Sequence, residues 1–183
     1  MSELRLQTPD WRSLREPCST LRTQGVMLNW IAARLAPSYA LPMEIDPNNP
    51  IVKLCAEGIS AEMAGRTEQA ANLYRKAWEA RTDDYDACVV AHYLARIQRT
   101  TQDALYWNTE ALRHAESVND ERVAGFYPSL YLNIGKAHED AGNKQEARKF
   151  YGLAVEKAVL LPEGKYADMV KRGSAQGLER VSG

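Results

Sequence analysis

Two stretches of this chain carry the same residues at the same spacing, and that repetition limits the fold more than any other feature. Gly58, Gly65, Ala70, Tyr74 and Ala77 are matched without slippage by Gly135, Gly142, Ala147, Tyr151 and Ala154. In the later stretch Tyr131, Ile134, Ala137 and His138 recur at helical spacing, and so do Ala147, Tyr151, Ala154 and Ala158. The spacing predicts two antiparallel helices joined by a tight turn at Gly142, because glycine takes left-handed φ/ψ without a Cβ clash. Asn143, with Glu146 three residues on, reads as a capping-box-like start to the second helix. Small residues mark where two helices approach closely, and the tyrosine fills the neighbouring hole. One such hairpin exposes an apolar face, so repetition implies a stack of them.

The copies run over about 51–84, 85–118 and 128–161. The middle one keeps Ala104, Asn108 and Ala111 in its second helix, but His92 stands where the first-helix glycine belongs and Arg99 replaces the turn glycine. This pattern resembles the tetratricopeptide repeat family, over somewhat more than half of the chain. The resemblance implies an all-α fold, a right-handed superhelical α-solenoid of antiparallel helix pairs. It also implies that the first helices line a concave groove in which extended peptides or partner segments bind. The expected organisation is an N-terminal helical arm with a proline-rich linker over residues 1–46. A three-repeat domain with a C-terminal capping helix follows over 47–183.

Composition narrows the function class. With 183 residues, 45% hydrophobic and 26% charged, the chain has enough apolar sequence for a core. A net charge of −1 argues against a general polyanion binder, so no nucleic-acid partner is expected. The cysteines, Cys18, Cys55 and Cys88, are odd in number and lack CxxC or metal spacing, which points to reduced thiols in the cytoplasm. No apolar run approaches the roughly 20 residues that span a bilayer, so no membrane partner is expected. Residues 23–33 lack the basic flank and cleavage site of a signal peptide.

In chain order, Ser19 is placed to cap a helix to about Ala36, interrupted by Gly25. Pro37, Pro42, Pro47 and Pro50 then punctuate an extended linker. Two readings compete for this arm: a cap in which Leu28, Ile31 and Leu35 pack on the first repeat, or a detachable segment that docks on a partner or a second copy. Helices are expected over about 50–64, 67–81, 85–98 and 100–117, with Thr82-Asp83-Asp84 as a turn and cap cluster. Between the second and third copies, Val123, Tyr127 and Leu130 continue an apolar stripe. They favour a long third-repeat first helix kinked at Pro128 over the other reading, in which Pro128 is an ordinary first-turn residue preceded by a loop. After Pro162-Glu163-Gly164, residues 165–181 read as an amphipathic capping helix.

No glycine-rich phosphate loop, GxSxG or HExxH is present, and the histidines His92, His114 and His138 are scattered. His138, at a place where the family usually has tyrosine, reads as a packed residue. Cys55 and Cys88 read as small apolar packing residues, and Trp78, Tyr106 and Trp107 as core. The chain is therefore not expected to be an enzyme, and neither cofactor nor metal is expected.

What remains is a surface. By the family's register, the peptide-binding concave face is expected at Val89, Tyr93, Arg96, Leu132, Asn133, Lys136 and Glu139, facing solvent in the free protein. Some family members clamp a terminal carboxylate with Lys, Asn and Arg, but Cys55, Ile59, Val90, Ser129 and Asn133 occupy those places here. Asn133 is also placed like an asparagine with which lengthened-repeat relatives bond a peptide backbone. The leading expectation is a non-catalytic scaffold for a protein or peptide segment. The alternative is a ligand- or peptide-responsive regulator whose N-terminal arm contacts an effector, DNA or a second subunit. Homo-oligomerisation through that arm is a third reading.

Overall fold

Asn49 starts the first helix by an ordinary capping contact. Its side-chain oxygen accepts from the backbone N–H of Ile51 at 2.7 Å and of Val52 at 3.3 Å, and Pro50 occupies the first turn. The computed structural model describes Asp46 and residues 48–183. The helix expected over 19–36, and all of the arm except Asp46, lie outside those residues. Within them the chain is all-helical: α1 Pro50–Met63, α2 Thr67–Ala80, α3 Asp84–Arg96, α4 Thr101–Val118, α5 Glu121–Ala124, α6 Tyr127–Asp140, α7 Lys144–Ala158 and α8 Lys165–Ser182.

Helices α1 and α2, α3 and α4, and α6 and α7 pack as consecutive hairpins. α2 meets α3, α4 meets α6, and α7 meets α8. The turns of the first and third hairpins are the same object. Gly65 and Gly142 have φ of 73° and 77°. Gly65 N–H bonds Glu62 O and Arg66 N–H bonds Ala61 O. Likewise Gly142 N–H bonds Glu139 O and Asn143 N–H bonds His138 O, the paired bonds of a Schellman ending.

That ending overturns one expectation. Asn143 is held at φ −85°, ψ 68° as the last residue of the Schellman turn, and it makes no side-chain cap bond. Arg66, its counterpart, sits at φ −89°, ψ 62°, also without a side-chain cap. The three-residue connection uses this position to close the preceding helix, so the capping box with Glu146 does not form. In the second hairpin, which has no turn glycine, α4 instead receives a true cap: the Thr100 hydroxyl accepts from Asp103 N–H at 3.0 Å.

The long kinked helix is also corrected. α5 stops at Ala124, a turn at Gly125 and Phe126 follows, and α6 begins with Pro128 in its first turn. Proline lacks the N–H that would bond the carbonyl four residues back, which is that of Ala124, and its ring clashes there. The chain therefore breaks and restarts. The turn still serves the core, for Phe126 is buried and packs edge-on to Tyr85 and His92.

Tyr74 and Tyr151, both fully buried, are the central side chains of the first and third hairpins. A Cβ on Gly58 would sit 2.3 Å from the Tyr74 ring, and one on Gly135 would sit 2.8 Å from the Tyr151 ring, so only glycine admits these contacts. The C-terminal helix α8 forms where expected. Ala167, Val170, Ser174, Gly177 and Val181 are buried on one side, while Asp168, Lys171, Arg172 and Glu179 face water. Gly177 of α8 also packs on the Tyr151 ring, where a Cβ would approach to 2.5 Å. No helix among the described residues is long and apolar enough to cross a membrane.

Candidate interaction site on the first helices

Whether a concave surface can bind depends on which first-helix residues reach solvent. Val89, Tyr93 and Leu132 do not: they are 5%, 8% and 6% exposed. The expectation that these three face water in the free protein is therefore corrected. Tyr93 stacks on Tyr74 with ring centroids 5.5 Å apart. Leu132 is covered by α8, whose Gly173 backbone comes close enough that a Cβ would lie 3.3 Å from it. A helix that packs against the last hairpin takes up part of the face a ligand would use.

Arg96 and Glu139 are held by intramolecular partners. In the first hairpin the Tyr74 hydroxyl donates to Glu62 at 3.0 Å, and Arg96 from α3 pairs with the same carboxylate at 3.0 Å. In the third hairpin the Tyr151 hydroxyl donates to Glu139, and Arg180 from α8 bonds both Glu139 oxygens at 2.7 and 2.8 Å. Each unit ties the turn of one hairpin to its second helix and to the next helix along. Gly135, Gly142 and Tyr151 were legible in the sequence; the arginine that completes the unit was not. Its signal is a glutamate four residues beyond the first-helix glycine, with an arginine on the following first-type helix.

The fork from Arg180 and the tyrosine hydrogen bond hold the Glu139 carboxyl below its usual 4.5, at about 2. Burial and the neighbouring carboxylate push the Tyr151 hydroxyl up. A depressed carboxyl contributes stability that is complete above the unfolded value and is lost as pH falls toward the folded one. Glu139→Gln should cost about 1–2 kcal/mol at neutral pH, since Arg180 is half exposed and water screens the pair. The gap between mutant and wild type should narrow as pH falls from about 4.5 toward 2. Urea melts at successive pH values test this, and a gap that stays constant would refute the linkage.

The remaining expected site residues are more accessible. Asn133 is half-buried, its amide nitrogen 3.5 Å from His92 Nδ1. The Lys136 side chain is 51% exposed and pairs with Asp140 one turn on. The structure thus brings Asn133, Lys136 and Glu139 together on α6, while Val89 and Tyr93 belong to the core of α3.

Burial pushes the Cys55 and Cys88 thiols up to about 12, so both are neutral thiols at ordinary pH. An Asp–His pair not foreseen from sequence joins α3 to α4: His114 Nδ1 lies 2.6 Å from Asp84, and Nε2 lies 2.7 Å from an Arg113 nitrogen. Because guanidinium only donates, Nε2 accepts and Nδ1–H donates to Asp84. A general base needs that Nε2 lone pair for substrate, and here Arg113 occupies it. His138 stacks on Phe150 at 5.5 Å, and Trp107 is buried against Trp78. No group of three or more His, Cys, Asp or Glu suited to a metal ion occurs among the described residues.

No family model, no curated protein and no solved structure matches this chain.

Proposed function

We propose that the chain is a non-catalytic scaffold for a protein or peptide segment, built as a right-handed solenoid of the tetratricopeptide kind. The observation that carries this reading is the recurrence of one packing unit: Gly58–Tyr74–Glu62–Arg96 in the first hairpin and Gly135–Tyr151–Glu139–Arg180 in the third. Stacked units of this kind present their first helices as a continuous surface, which is how repeat arrays hold extended partners. The polar part of α6, with Asn133 and Lys136 beside the Glu139 carboxylate, is the portion of that face open to a ligand. The partner is then a segment whose backbone Asn133 hydrogen-bonds and whose acidic group meets Lys136.

Partner capture by the intact chain, followed by affinity measurement, tests the reading. Lys136→Glu should weaken binding by about 1 kcal/mol or more while the melting midpoint stays put, and Asn133→Ala should weaken it similarly with a small drop in melting midpoint from loss of its contact with His92. Lys149→Glu, on the exposed side of α7, serves as the control. Loss of binding in the control alone, with both α6 variants normal, would move the site off this face. Tyr93→Ala reports on stability rather than binding, because that ring is in the core.

A further inference from the structure

At the helix ends opposite Gly65 and Gly142, an open cleft of about 700 Å³ lies between the end of α4, the start of α6 and the end of α7. Its wall is aromatic. Tyr127 and Tyr131 line it with ring centroids 5.9 Å apart and planes tilted by 32°. Leu160 borders it and is 79% exposed, and Val159 beside it is 71% exposed. Apolar groups so bare gain free energy when something covers them.

The electrostatics say what that cover is. Glu116 and Glu121 stand at the cleft, and neither carboxylate forms an ion pair or hydrogen bond among the described residues. Asp120 is also there, already bonded to Arg122. Lys157 is the cation at the rim, and it lies 3.3 Å from Glu156. Two helices, α4 and α7, end at this place while α5 and α6 start there, so the helix termini offset one another and the carboxylates set the sign of the potential. Burial and the Glu116 carboxylate raise both tyrosine hydroxyls, so the rings remain neutral. Negative potential behind neutral aromatic faces suits a cation that is flat and weakly hydrated. Phosphate-bearing ligands would be repelled, and a bare inorganic cation would leave Leu160 and Val159 uncovered.

We propose that this cleft docks a short aliphatic segment of a partner protein through one arginine. The guanidinium stacks on Tyr127 and Tyr131 and pairs with Glu116 or Glu121. Aliphatic neighbours of the arginine lie against Leu160 and Val159. The site uses helix ends and not the first-helix face, so it stands or falls separately from the scaffold surface at Asn133 and Lys136.

The test uses the full chain and two fluorescein-labelled peptides, Ala-Leu-Leu-Arg-Leu-Leu-Ala and its twin with citrulline, the neutral isostere, in place of arginine. Fluorescence anisotropy should show the arginine peptide binding and the citrulline twin at least ~10-fold weaker, equivalent to about 1.4 kcal/mol. Glu116→Gln and Leu160→Ser should each weaken binding about fivefold with unchanged melting midpoints, as exposed positions allow. Lys136→Glu should leave binding unchanged. Equal affinity for the two peptides would overturn the proposal, as would no binding at all. It would equally fail if Lys136→Glu abolished binding while Glu116→Gln did not, since the peptide would then occupy the first-helix face.

Discussion

Tyr151→Ala will lower the stability of this protein by about 3–5 kcal/mol, the usual range for emptying a buried aromatic site. The ring is fully buried, the backbones at Gly135 and Gly177 both pack on it, and its hydroxyl is anchored on Glu139. Removing it leaves both glycines facing a void and releases one hydrogen bond from the carboxylate that Arg180 grips. Against a typical domain stability of about 5–15 kcal/mol, such a loss threatens folding itself. The partner experiment is the reverse change. Gly177→Ala places a methyl about 2.5 Å from the ring and should cost about 1–3 kcal/mol by overpacking. In the Tyr151→Ala background the same alanine enters empty space, so the two changes should be strongly non-additive. Urea denaturation of the four proteins measures the cycle, and additive effects would mean that Gly177 does not pack on Tyr151.

Ending the chain after Gly164 should have the next largest effect. The truncation removes α8, uncovers Leu132 and Tyr151, and deletes Arg180 from Glu139. Loss of that apolar contact and the ion pair together should reduce stability by on the order of 5 kcal/mol and leave a protein prone to aggregation. Circular dichroism melting and light scattering decide the matter. A truncated chain that stays monodisperse and melts within a few degrees of the full one would show that α8 is dispensable. If Glu139→Gln alone reproduced most of the loss, the ion pair rather than the apolar cover would be the main contribution.

What could be read from the sequence was what the chain encodes locally. Gly142 needs only its own φ to end a helix, and Tyr151 with Gly135 needs only the spacing within one hairpin. The end of α8 was legible because its apolar and charged residues alternate at helical period. Errors arose wherever a neighbour redefined a position. Asn143 looked like the start of a capping box until the Schellman turn claimed, for His138 O, the backbone N–H that Glu146 would have bonded. Leu132 looked solvent-facing because the packing of α8 across α6 depends on an interhelical angle, which no single window of residues specifies. Arg96 and Arg180 looked like free cations or wet-face residues; their carboxylate partners lie 34 and 41 residues away along the chain, since Glu62 pairs with Arg96 and Glu139 with Arg180. The exposed pair Val159 and Leu160 carried no period at all, and only the end of α7 shows that they border a cleft.

The middle hairpin has Arg96 at the place where the outer two have Glu62 and Glu139, and Asn108 where they have Tyr74 and Tyr151. It therefore lacks the residues for a tyrosine–carboxylate unit of its own and lends its arginine backwards to the first hairpin. Its junction with the third hairpin is made instead by the rings of Tyr85, His92 and Phe126 and by the 3.5 Å hydrogen bond from Asn133. Dissolved salt weakens ion pairs and leaves ring packing almost untouched. Rising ionic strength should thus slacken the joint between the third hairpin and α8, where Arg180 is half exposed, more than the joint at Arg96 and Glu62, which is nearly buried and backed by the stacked rings of Tyr74 and Tyr93. The stiffness of this molecule is distributed unevenly along its length, with its salt-sensitive joint at the α8 end.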